Sequence, residues 1–138
     1  MASVKQATIK NTRQLTEANK EAATVTTLGE ILAITGGYAV PADSGTVTSD
    51  LLGVCNETIA AADAKTRVSY IVPSDEDTYI FTTTNNTNAT HNGQAMVLGA
   101  DSTTVNNTGT TSATGIIVQV EPYGAASDKT IIGKFLTL

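Results

Sequence analysis

The chain has 138 residues and a net charge of −5; 15% of it is charged, 41% hydrophobic and 4% aromatic, with no Trp. That length fits one domain, or one domain with an arm, and the core it can build is aliphatic. The single cysteine excludes an intrachain disulfide framework, no apolar run reaches the roughly 18 residues of a membrane helix, and the polar start Met1-Ala2-Ser3-Val4-Lys5-Gln6 lacks a secretory h-region.

Thr (25) and Asn (9) take the place of the missing charges. Thr favours strands, where its branched Cβ suits a pleated surface, and Asn favours turns. The expected class is therefore all-β: a small barrel or sandwich with long Thr/Asn-rich loops and an N-terminal arm. The arm is placed at residues 1–27 and a single β domain at residues 28–138.

Residues 1–27 are polar and lack a hydrophobic stripe, so a short helix and an extended arm are both open. The charge is split along the chain. Residues 1–20 hold Lys5, Lys10, Arg13 and Lys20 against Glu17, a balance of +3; the remainder holds four basic and twelve acidic groups, a balance of −8. An acidic body excludes nucleic acid as a partner. Lys5, Lys10, Arg13 and Lys20 are the candidate partner-binding residues, with a plain solvated segment as the competing reading.

From Leu28 to Ile34 the chain is apolar, and Gly36-Gly37 marks a turn. Tyr38-Ala39-Val40 and Asp50 to Cys55 follow as strands. Ala60-Ala61-Ala62-Asp63-Ala64 reads as a loop or a single turn, being too short for a stable helix. Arg67 to Val72 alternates and ends at Pro73, so it is a strand. Ser74-Asp75-Glu76-Asp77 reads as a solvated charged turn. Thr78 to Thr84 is a strand leading into a loop in which nine of the eleven residues from Thr82 to Asn92 are Thr or Asn. Gln94 to Leu98 is a strand, Gly99 to Ala113 a second polar loop, and Gly115 to Val120 a strand ended by Pro122. Gly124 to Lys129 is a turn, and Thr130 to Leu138 closes the chain as a strand.

The search for chemistry finds little. His91 is the lone histidine, in the Thr/Asn loop, with no spacing that pairs it to Cys55 or a serine. Cys55 lies in the apolar run Leu51-Leu52-Gly53-Val54-Cys55 and reads as a small buried hydrophobe. Asp75, Glu76 and Asp77 lack the spacing of a calcium loop, and the glycines form no phosphate-binding pattern. No cofactor, no metal and no enzyme activity are expected.

Taken in order, Gly36-Gly37, Tyr38-Ala39-Val40-Pro41, Leu51-Leu52-Gly53-Val54-Cys55, Ala60-Ala61-Ala62-Asp63-Ala64-Lys65 and Val68-Ser69-Tyr70-Ile71-Val72 resemble the capsid decoration (cement) proteins of tailed bacteriophages. The resemblance covers about residues 30–80 and extends more loosely beyond them. It implies a compact β-barrel or sandwich that forms a homotrimer on the outer surface of an icosahedral virion, where subunits of the major capsid protein meet. The N-terminal arm would take part in that contact, and assembly would occur in the host cytoplasm without a membrane. Its patterns are small and apolar, so no functional residue is carried over from it. The alternative from the residues is a receptor- or glycan-binding module of a phage fibre or adhesin; a small hydrolase and a self-assembling shell subunit are further competitors.

Overall fold

The computed structural model describes residues 5–6, 14–74, 76–108 and 115–136. It is all-β. Eleven strands are described: β1 (Lys5–Gln6), β2 (Gln14–Asn19), β3 (Ile31–Thr35), β4 (Tyr38–Pro41), β5 (Leu51–Cys55), β6 (Arg67–Val72), β7 (Tyr79–Thr83), β8 (Ala95–Leu98), β9 (Thr104–Asn106), β10 (Ile117–Pro122) and β11 (Thr130–Phe135). The helical pieces among the described residues are three-residue 3-10 turns.

The strands form two sheets. In the first, β7, β11, β10, β8 and β9 bond in that order, and β9 returns to pair with β7, so five strands close into a barrel. Closure depends on one parallel pairing, Thr82↔Thr104 and Thr83↔Val105; the other contacts of the barrel are antiparallel. β1 shares that same edge of β7 further along, with Lys5↔Ile80 and Gln6↔Tyr79. The second sheet runs β2-β6-β5-β3-β4, antiparallel throughout.

Alternation explains the barrel. Along β7, β8 and β11 every second residue is buried, which places Tyr79, Phe81, Met96, Leu98, Ile131 and Phe135 inside. Both Phe residues of the chain are there. Phe135 stands edge-on to Phe81 and to Tyr79, with centroids 5.6 and 5.5 Å apart. The second sheet is buried on both faces at its centre, which is why Ile31, Leu32 and Ala33 are three consecutive buried residues. Ile31, Ala33, Val54 and Ile71 join the barrel cluster, while Leu32, Cys55 and Val68 form a second cluster with Ala39 and Ile59. One apolar core thus runs from the barrel into the sheet.

Gly36 and Gly37 turn β3 into β4 with φ of 57° and 87°, the paired positive angles of a tight hairpin. Other expectations are corrected. Leu28-Gly29-Glu30 is a turn rather than the start of a strand: Gly29 has φ 88° and Leu28 is exposed. Gln14–Asn19, expected in a helix or a free arm, is a strand bonded along its whole length to β6, so the sheet begins well before residue 28. β9 lies inside the stretch expected to be a polar loop. Ala61–Asp63, by contrast, is the single turn expected of it, a 3-10 turn. Asp77 is buried rather than solvated, and its carboxylate accepts the Ser74 N–H at 3.0 Å; Asp75 lies outside the described residues.

Candidate functional site

The expected partner-binding residues fall in different places. Lys5 is on β1 at the barrel edge. Lys10 and Arg13 lie outside the described residues, between β1 and β2. Lys20 is a correction: it is 1% exposed, and its ammonium donates to the carbonyls of Glu21 (2.9 Å), Ala22 (3.2 Å) and Thr24 (2.8 Å). It holds the turn after β2 together and presents no cation to a partner. A lysine can do this because its stem packs as a hydrocarbon while its head satisfies backbone acceptors.

The exposed polar residues beside β2 are Glu17 and Asn19, both bonded to Arg67, whose Nε lies 3.1 Å from the Glu17 carboxylate. Leu15, on the same strand, is 58% exposed. Among the described residues β2 is bonded on one side only, and beyond its end a shallow cleft of about 450 Å³ is lined by Asn19, Lys20, Glu21, Ala22, Tyr38 and Thr66.

The nucleophile candidates are poorly placed for chemistry. Cys55 is buried, donates its thiol to the Glu57 carbonyl at 3.0 Å, and has its pKa pushed up, chiefly by burial. A raised thiol pKa means little thiolate, the reactive form. It lies on the second sheet, whereas His91 sits in the 3-10 turn Ala89–His91 beside the barrel. Among the described residues no group of three or more His, Cys, Asp or Glu could hold a metal ion.

The Thr/Asn segments do more than coat the surface. Asn107 is 2% exposed; it accepts from the Asn85 N–H at 2.9 Å and donates to the carbonyls of Asn85 and Asn86. Thr83 and Thr87 are buried too, and the Thr83 hydroxyl donates to the Asn85 carbonyl at 2.7 Å. Two loops adjoining the barrel are therefore tied to each other through amide groups that a ligand would otherwise meet.

Barrel and sheet are joined at Glu30, which is buried between them. Its carboxylate accepts from the Ser102 hydroxyl and the Thr27 N–H, each at 2.7 Å, while Ile31 N–H donates to the Ser102 carbonyl at 2.9 Å. Burial raises the Glu30 pKa, opposed by the hydrogen bond from Ser102 and then by that from Thr27. Raised in the folded state, the group favours folding when protonated. Its contribution is therefore present at acid pH and is lost as pH rises through its folded pKa. Glu30→Gln is expected to remove that slope, so wild type should lose stability relative to the variant as pH rises from the ordinary glutamate range through the raised folded pKa. Urea unfolding of both proteins across this range checks it; a constant difference would show that burial does not govern Glu30.

No protein-family model and no curated protein matches the chain. No helix among the described residues is long and apolar enough to cross a membrane.

Proposed function

We propose that this chain is a structural virion protein that binds the outer surface of an icosahedral phage capsid and stabilises it, acting as a homotrimer against the major capsid protein. The observation that carries this reading is the way the basic N-terminal segment joins the body. β1 is bonded to the barrel and β2, where Leu15 is exposed, to the second sheet, and in the sequence Lys10 and Arg13 fall between those two strands. Residues 1–13, with Lys5, Lys10 and Arg13, carry +3 against −8 for the remainder, a split that separates a docking end from an outward end.

The resemblance over residues 30–80 supports the same reading, as does the internal use of the buried Asn107 amide, which ties its loop to Asn85 and Asn86. That use counts against the glycan-binding alternative, in which the amide would be free for a sugar. Cementing needs no catalysis. A protein that binds only the assembled shell stabilises it by about 2.7 kcal/mol per site when present at a hundredfold over its Kd.

Because β2 and Lys20 belong to the body, charge reversal tests the docking segment better than truncation. Lys10→Glu with Arg13→Glu is expected to weaken capsid binding about tenfold or more at low salt, through slower association. Unchanged association kinetics in a folded double variant would show that this segment is not the dock.

A further inference from the structure

The chain contains one Asn-Gly pair, Asn92-Gly93. Both residues are exposed, in the turn between Ala89–His91 and β8. Such a pair is chemically labile because glycine leaves its amide nitrogen unshielded. The Gly93 nitrogen can attack Asn92 Cγ, forming a new C–N bond while the side-chain nitrogen leaves as ammonia with the displaced proton. Water then opens the resulting five-membered imide at either carbonyl, leaving aspartate or isoaspartate. Water is the sole co-reactant, and it has access.

The fold opposes each part of this step. Asn92 has ψ 130°, whereas ring closure requires a negative ψ that brings the Gly93 nitrogen round to eclipse Asn92 Cβ. The Gly93 N–H donates to the Gln119 carbonyl at 2.7 Å. Asn92 Oδ1 accepts from Gln119 Nε2 at 2.8 Å, and the same Nε2 donates to the Asn88 carbonyl at 2.9 Å. Gln119 N–H donates to the Gln94 carbonyl at 3.1 Å. One residue thus holds both ends of the turn as well as the nucleophile and the electrophile.

Gln119 is an unusual residue for its place. It is fully buried on β10, two residues beyond buried Ile117 in the inward alternation, where an aliphatic side chain would be expected. Its Oε1 has no hydrogen-bond partner among the described residues, and a buried, half-satisfied amide is costly. The bonds made by Nε2 are what the amide adds at this position.

We propose that Gln119 is a positioning residue that restrains Asn92-Gly93 from deamidation, and that this pair is the chain's built-in site of spontaneous modification whenever the turn opens. The proposal is independent of the virion reading. For a protein that is not replaced after assembly it would set a chemical lifetime, since isoaspartate adds a backbone atom and a negative charge beside β8.

The test is to age wild type and Gln119→Leu at mildly alkaline pH, with wild type in urea as the unfolded reference. Isoaspartate and aspartate at residue 92 are read by peptide mapping, and the fold by circular dichroism. Native wild type should convert about tenfold or more slowly than the unfolded chain, because reaction requires local opening; folded Gln119→Leu, which keeps the bond from Gly93 N–H to the residue-119 carbonyl and loses both Nε2 bonds, should convert severalfold faster than native wild type. Equal rates for native and unfolded wild type, or a folded Leu variant that keeps the wild-type rate, would overturn the proposal. Should the Leu variant not fold, the similarly sized Gln119→Met, which also lacks the amide donor, carries the test: faster conversion at residue 92 supports the restraint, and the wild-type rate refutes it.

Discussion

Phe81→Ala is expected to destabilise the protein by about 4 kcal/mol, a typical loss for a fully buried aromatic. Phe81 is 0% exposed, and its ring meets Tyr79 and Phe135 inside the barrel. The facing strand is already shaped to it: a Cβ added at Gly133 would lie 3.0 Å from Phe81 Cδ2 and 3.1 Å from Ile117 Cγ2. Tyr79 and Phe135 are packed against each other at 5.5 Å and are held by their own strands, so neither ring moves to fill the space. The barrel wall is hydrogen-bonded all round, so it cannot collapse onto the cavity. Urea unfolding at matched protein concentration should show a lower midpoint with an unchanged slope. A loss below about 1 kcal/mol would mean that the ring is not packed as described.

Gly53→Ala is expected to be comparably damaging, for a different reason. Gly53 has φ 155°, and a Cβ there would overlap the carbonyl oxygen of Ile71 and press on the Tyr70 ring. The obstacle is backbone, and it is held by the neighbouring pairs Val54↔Ile71 and Cys55↔Tyr70. Backbone strain of about 1–3 kcal/mol adds to overpacking of similar size, so the loss is about 4 kcal/mol. The damage should be local at first, with amide protection lost at β5 and β6 before the barrel strands. Protection lost uniformly over both sheets would contradict the packing described, and so would a stability equal to wild type.

These two positions also show what the sequence discloses. Alternation made β6 legible, runs bounded by turn residues did the same for β7, β8 and β11, and the Gly36-Gly37 hairpin followed from its two glycines. Gly53 read only as part of an apolar run, because the carbonyl that excludes a Cβ arrives from β6. β9 was hidden for a similar reason. Its three residues carry no period of their own, and their partners come from β7 and β8. β2 was hidden because an edge strand tolerates polar residues on both faces, so Gln14-Leu15-Thr16-Glu17 lacks the buried alternation of a central strand.

The candidate site was less legible than the fold. Net charge counts Lys20 among the basic residues of the N-terminus, yet the carbonyls of the turn after it occupy its ammonium. Cys55 read as a buried hydrophobe because its apolar neighbours announced its burial, and it is one. Gln119 could not be found from sequence at all. Its significance lies in a contact with Asn92, 27 residues away, and a lone Gln in an apolar strand carries no signal of its own.

The central claim is that this body exists to be carried by a shell. Purified protein mixed with undecorated capsids at about micromolar concentration, where a Kd in that range corresponds to about 8 kcal/mol of binding, should bind in saturable stoichiometry. It should also raise the temperature at which the capsids disrupt, with the free protein remaining a small oligomer until it meets them. No binding under those conditions, or binding that leaves capsid heat stability unchanged, would contradict it.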